Sequence, residues 1–321
     1  MHILTLLFYI LILFAVVMLH VAYATYFERK IIGHMQVRLG PMRVGWHGLL
    51  QPIADGVKSF FKEDIIPASA DKLGFRLAPI VSLTAMLASA AVLPFAPGWV
   101  LADINVGLLF IFAMSSLASY GIILAGWASN SKYSFLGGIR SMAQVISYEI
   151  AMGLSLVGVM LLAGSLNLTD IVVAQHDTFR GMFIFPQIIG FGVFFVSMLA
   201  ETNRVPFDLP EAETELVSGY ATEYSGMRYA IFFMAEYIGM LVMSSLATIC
   251  FFGGWSGPFY VPVFPALWFL LKVYVFMFGF VWIQAALPTY RYDQLMDLGW
   301  KWLIPLALAN VVLTAVFKAI F

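Results

Sequence analysis

The chain has 321 residues, 62% of them hydrophobic and 11% charged, with a mean hydropathy of +0.91 and a net charge of −1. A soluble domain carries roughly a quarter charged residues, so this balance excludes one and predicts an all-α polytopic membrane protein. It gives no electrostatic case for nucleic acid, and the ~10-residue alternation of a spanning β-barrel is absent from the sequence.

The first apolar run, about 3–27, is long enough to cross ~30 Å of hydrocarbon as a helix. With no basic start and no small-residue cleavage site, it reads as a span rather than a signal peptide. A charged loop, 28–74, follows. Within it, LLQPIADGVKSFFK (49–62) repeats Leu49, Leu50, Ile53, Val57, Phe60 and Phe61 at helical spacing, opposite Gln51, Asp55, Lys58 and Lys62. That pattern predicts an amphipathic helix lying in the membrane surface or packed on another subunit.

Seven further spans are expected, at about 75–94, 104–126, 140–163, 183–200, 227–252, 264–287 and 301–320, for eight in all. Pro79 and Pro305 fall inside two of them and should kink them. Between the fifth and sixth spans lies the acidic loop 201–226, ETNRVPFDLPEAETELVSGYATEYSG. Asp208 and Glu211 flank Pro210 in the spacing of a helix start, with Asp208 as cap and Glu211 reaching back. Glu213, Glu215 and Glu223 are left over, and Glu211 and Glu215 share a helical face, where like charges repel. Clustered acids that destabilise their own helix suggest a site that holds protons or meets basic groups, against the plainer reading of a solvated loop.

Lysine and arginine set the orientation. Arg29, Lys30, Arg38, Arg43, Lys58, Lys62, Lys72, Arg76, Lys132, Arg140, Arg204, Arg228, Arg291 and Lys301 fall on one side, and only Arg180 and Lys318 on the other. The positive-inside rule makes the charged loops cytoplasmic, or matrix-side in an organelle, and puts both termini on the opposite side. Three ionisable residues, Glu149, Glu236 and Lys272, lie inside spans. A charge at mid-bilayer costs ~2.5–3.5 kcal/mol even on the lenient insertion scale. Structural pairing explains one such group; three together favour a proton path. The lone cysteine, Cys250, and five scattered histidines hold no metal-ligand spacing, and no phosphate-binding glycine loop appears.

With these residues in view, the chain resembles a known family. ETNRVPFDLPEAETELVSGYATEYSGMRYAIFF resembles the signature of the H-type membrane subunit of NADH:quinone oxidoreductase, respiratory complex I. FERKIIGHMQVRLGPMRVGWHGLLQPIADGVKSFFKED looks like that family's first charged loop, and LPTYRYDQLMDLGWK like its last. Met42, His47 and Ala221 depart from the pattern without removing a carboxylate. The resemblance implies a subunit that anchors the peripheral arm, forms much of a quinone chamber, and couples quinone reduction to proton translocation. It implies no cofactor on this chain: the iron–sulfur clusters, FMN and NADH site belong to partner subunits, and ubiquinone or another quinone is the substrate. Implied partners are the other membrane subunits, the quinone-site and terminal iron–sulfur subunits, and lipid. The implied membrane is the bacterial plasma membrane or an organelle's inner membrane.

Carried over by position, Glu201, Asp208, Glu211, Glu213, Glu215 and Glu223 match the acidic loop. Glu149 and Glu236 match intramembrane glutamates, and Lys272 the basic residue of the seventh span. Arg29, Arg38, Arg43, Arg204 and Arg291 match arginines around the chamber, and Arg228 joins them at the interface with the peripheral arm. Spans two to six would resemble the repeat of the antiporter-like subunits. Three other readings stand beside this one. The membrane subunit of an energy-converting hydrogenase shares the core seen in Glu201, Pro206, Asp208 and Pro210. A self-sufficient ion transporter also fits intramembrane charges. A purely structural anchor leaves Glu149, Glu236 and Lys272 unexplained.

Overall fold

The computed structural model describes residues 3–175, 181–211, 213–257 and 265–320; the side chains of Ile3, Glu213 and Thr214 fall outside that description. Arg180 also lies outside it, as does the first residue of the expected 264–287 span. The described chain is helical. In order come α1 (Ile3–Met35), α2 (Gln51–Phe61), α3 (Lys72–Ala91), α4 (Gly107–Ala128), α5 (Lys132–Ala163), α6 (Leu168–Val173), α7 (Ile188–Glu201), α8 (Glu213–Leu216), α9 (Gly226–Phe251), α10 (Pro265–Ala286), α11 (Tyr292–Asp297) and α12 (Ile304–Ile320).

Seven helices among the described residues are long and apolar enough to cross a membrane. The eighth expected span is α7, which has 14 residues and so reaches only ~21 Å. It starts late because Pro186 cannot extend a helix into the residues before it. Other bounds shift outward. α1 runs on past the expected residue 27 to Met35, since Phe27–Met35 contains no proline and only one glycine, Gly33, and the chain turns only at Val37, φ 57°. A six-residue π turn, Leu298–Leu303, precedes α12. Pro305 explains its position, because a missing N–H there frees a carbonyl one turn back.

α9 is the central column. Met240, Val242, Met243, Leu246, Ala247, Ile249 and Cys250 along it are fully buried. α3, α10 and the surface helix α2 pack around it, while α5 gathers α4, α7 and α12. Apolar side chains from α3, α4, α5, α7, α9, α10 and α12 meet in one core, and a second cluster gathers Phe75, Tyr220, Tyr224 and Phe232.

The loop between α7 and α9 lies against α5 without a gap. A Cβ on Gly137 of α5 would sit 2.7 Å from Tyr220 N and 2.8 Å from Pro210 O. Gly219 adopts φ +50°, and a Cβ there would sit 1.6 Å from Pro210 O. Gln144, fully buried on α5, clasps the start of the same loop. Its Nε2 donates to Ala200 O (2.6 Å), Phe207 O (2.8 Å) and Asn203 Oδ1 (3.2 Å). These contacts tie the end of α7 to the turn that follows and hold Arg204 in place between them.

One expected detail differs. Asp208 and Glu211 do not start a helix: α8 begins at Glu213, beyond both. The intervening chain is instead spent on the glycine contacts with α5, and Glu211 turns inward.

Candidate functional site

Arg204 stands at the centre of the charged interior and is buried. Its Nη1 donates to Glu28 Oε1 at 2.8 Å and reaches Gln284 Oε1 at 3.3 Å. Its Nε lies 2.5 Å from Glu236 Oε1. The guanidinium also lies over the Tyr237 ring, 4.5 Å from its centroid, and the Tyr237 hydroxyl donates to Glu28 Oε2 at 2.5 Å. One side chain therefore ties α1, α9 and α10 to the loop after α7. Burial works against the Arg204 charge, but Glu236, Tyr237 and Glu28 outweigh it and hold the guanidinium well above its ordinary pKa.

Two cavities adjoin the carboxylates that Arg204 holds. The first, about 40 Å³, is lined by Glu201, Glu211, Glu236, Tyr220, Asn203 and Ser119, with others from α3 and α4. That volume has room for a few water molecules. Tyr220 donates its hydroxyl to Glu211 Oε1 at 3.2 Å. Its burial, then the neighbouring Glu211 and Glu236, push the phenol well above its ordinary value, so it stays a donor. The second cavity, about 480 Å³, opens between α1, α9 and α10 and is lined by Phe27, Ile31, Met240, Met277, Phe278 and Val281, with Glu28, Tyr237 and Tyr274 as its polar edges. Glu236 belongs to the first cavity and Glu28 to the second, and Arg204 holds both.

The structure brings Glu201, Glu211 and Glu236 around one space, with Asp208 in electrostatic contact with Glu236. Glu149 on α5 accepts a hydrogen bond from Ser116 of α4 and lies within electrostatic reach of Glu201. Glu215 points away and pairs with Arg140 at 2.5 Å. Glu223 is half-buried. The Glu213 side chain lies outside the described residues.

Lys272 is set apart from the acids. Its Nζ donates to the carbonyls of Phe252 (2.6 Å), Gly254 (2.9 Å) and Ser256 (2.5 Å), capping the far end of α9. Of the arginines, Arg228 pairs with Asp64 at 3.1 Å and lies over the Phe75 ring. Exposed Arg29 pairs with Asp55 of α2 at 2.5 Å, and Arg291 with Asp293 at 2.7 Å. Arg38 and Arg43 are exposed on the same loop as α2. The apolar stripe of α2 faces outward, with Ile53, Val57, Phe60 and Phe61 all exposed.

Sequence reading passed over Glu28, Tyr237, Gln284, Tyr220, Ser115 and Ser116. Glu28 carried a signal: it is an acid inside an unbroken helical pattern, but Arg29 and Lys30 beside it read as a span end.

Residues 8–315 match the family model described as NADH dehydrogenase. The chain is 53% identical over 332 residues to the second H-type subunit of the NADH-quinone oxidoreductase of Geobacter metallireducens, covering 97% of this chain and 94% of that one. It is 56% identical over 306 residues to the H-type subunit of the NADH-quinone oxidoreductase of Rhodospirillum rubrum, covering 94% and 90%. It is 52% identical over 317 residues to NADH-ubiquinone oxidoreductase chain 1 of Chondrus crispus, covering 98% and 96%.

Proposed function

Because the chain belongs to the NADH dehydrogenase family, as an H-type subunit of NADH-quinone oxidoreductase, we propose that its larger cavity is a membrane-side quinone chamber and that Arg204 passes the charge change of quinone reduction to the buried carboxylates. The single observation that carries this reading is the guanidinium shared between Glu28 and Glu236, each of which lines a different cavity. The relatives are named as subunits of a quinone oxidoreductase, which favours that reading over a hydrogenase subunit or a self-sufficient transporter.

A volume of about 480 Å³ lies within the range of small-molecule sites, and mostly apolar walls with a few polar groups suit a quinone. The electrons come from elsewhere. A single buried cysteine cannot supply the thiolates that an iron–sulfur cluster takes, so the clusters are assigned to partner subunits, and on the same reading of the family the FMN and NADH site are too. Reduction of a quinone to a quinol takes two electrons and two protons. Negative charge building in the chamber competes with Glu236 for Arg204. Glu236 then takes up a proton from the small polar cavity, where Glu201 and Glu211 respond as a coupled set. Glu149 continues the line toward the membrane arm.

The excess of lysine and arginine on one set of loops supports placing those loops on the cytoplasmic or matrix side, with both termini opposite. Exposed Arg29, Arg38, Arg43 and Arg291 make that face a docking surface for the peripheral arm, which Arg228 and the loop carboxylates Glu213, Glu215 and Glu223 also meet. The outward stripe of α2 lies in the membrane surface beside the chamber. Lys272 supports the site from a distance by holding α9.

The experiment is Glu236→Gln and Glu213→Gln in assembled membranes. NADH:quinone activity is measured beside artificial-acceptor activity, with proton pumping and an assembly check. The expected result is loss of quinone-linked turnover with acceptor activity intact. Full quinone activity and full pumping in both variants would overturn the proposal.

A further inference from the structure

Two consecutive hydroxyls on α4 stand between carboxylates from two other helices. Ser115 is fully buried and lies within electrostatic reach of the Glu201 carboxylate of α7, which has no hydrogen-bond partner among the described residues. Ser116 is half-buried and donates to Glu149 Oε1 of α5. Both hydroxyls also reach a single acceptor, the Phe112 carbonyl: Ser115 Oγ at 3.0 Å and Ser116 Oγ at 2.9 Å. That carbonyl also takes the α-helical N–H of Ser116, so its second lone pair serves one hydroxyl at a time.

We propose that Ser115 and Ser116 are positioning residues that let Glu201 and Glu149 alternate in protonation, each hydroxyl swinging between its carboxylate and the Phe112 carbonyl. This rests on the reading that these glutamates carry protons.

The proton inventory balances in either state. When Glu149 is ionised, Ser116 donates to it. When Glu149 is protonated, it donates to Ser116 Oγ, and the serine proton turns to Phe112 O. Ser115 has the same two settings with Glu201. A hydroxyl is the side chain that can do this, because it is at once a donor and an acceptor and rotates freely. Rotation therefore lets each serine follow the charge of its neighbouring carboxylate. Glu201 is the charged group that bears on Glu149 across the helix contact, and like charges this close favour one proton between the two. On α4 itself the facing groups are the neutral serines. Seats on one helix turn, fixed to one carbonyl, keep both hydroxyls at their carboxylates while the surrounding charge changes.

The test uses the complete complex in membranes. Ser115→Ala and Ser116→Ala remove the hydroxyls; Ser115→Thr and Ser116→Thr keep them, and a helical threonine can still reach the same carbonyl. Protons pumped per NADH oxidised are read beside artificial-acceptor activity, with Glu149→Gln as the reference. The expected result is a fall of about tenfold in coupled turnover for the alanine variants, the effect of losing one hydrogen bond to a charge, and recovery to within about twofold with threonine. Alanine variants that pump like the parent while Glu149→Gln does not would overturn the serine proposal alone. Threonine variants as impaired as alanine would overturn it too, since the hydroxyl would then not be what matters. A Glu149→Gln enzyme that pumps normally would instead remove the reading beneath it. Should an alanine variant fail to assemble, Ser116→Cys keeps the size and offers only a weak donor; normal pumping by that variant would overturn the proposal.

Discussion

Arg204 Nε lies 2.5 Å from Glu236 Oε1, and the same guanidinium donates to Glu28 at 2.8 Å from its other edge. A planar fork can hold two carboxylates in different directions, which a lysine ammonium does less well. Arg204→Gln leaves two buried acids facing each other. Breaking a buried pair by removing one partner typically costs ~3–5 kcal/mol. The expected outcome is a lower thermal stability of the complex and at least a tenfold loss of NADH:quinone activity, with artificial-acceptor activity retained. Adding Glu28→Gln should recover part of the stability. Unchanged melting in the single variant would show that the triad is not held as described.

Tyr220 supplies a pH test. The folded phenol sits well above the ordinary tyrosine value, through burial first and the nearby acids second. The unfolded chain loses this proton near pH 10, whereas the folded chain keeps it. The phenol's contribution is therefore intact below about pH 10, and stability falls as pH rises from there toward the folded value. Tyr220→Phe should flatten that part of the stability profile. Alkaline unfolding with the same slope in both proteins would refute the assignment.

Lys272→Met removes three charge-assisted hydrogen bonds to the end of α9. A loss of about 2–3 kcal/mol in stability is expected, with quinone turnover per assembled complex close to the parent's. An assembled variant with parental stability and no pumping would give Lys272 a direct part in proton traffic instead.

Gly219→Ala puts a methyl group into Pro210 O and a side chain on a left-handed backbone. Left-handed backbone alone costs an L-residue roughly 1–2 kcal/mol. The expected outcome is a several-fold fall in assembled complex, because the acidic loop can no longer seat on α5. Full assembly with normal quinone activity would mean that the loop tolerates a shifted position.

Much of this organisation was legible in the residues. Apolar run length sets out the helices, and charge in the wrong solvent singles out Glu149 and Glu236. Helix ends were less legible, because FERKIIGHM favours helix as well as it favours water. Local spacing around Asp208 suggested a cap, but tertiary contacts at Gly137 and Gly219 claim that segment. The two-sided grip of Arg204 joins residues 176 and 32 positions apart, a relation that no spacing rule encodes. The partners of Lys272 are backbone carbonyls, which every residue carries, so its surroundings leave no mark in the side-chain pattern. Ser115 and Ser116 looked like ordinary small residues of a packed span.

The shortness of α7 has an electrical consequence. Its last residue, Glu201, faces Ser115, which lies in the body of α4 rather than at its end. The loop that follows Glu201 therefore begins alongside the body of α4, and under the function proposed above its polar groups thin the insulating layer there below the full ~30 Å of hydrocarbon. A voltage falls mainly across the insulating part of its path. Moving one charge through the whole drop takes ~2.3 kcal/mol per 100 mV. Under the proposed function, a proton that reaches Glu201 from the loop side has travelled a polar path that carries little of that drop, and most of the work against the membrane potential lies beyond it.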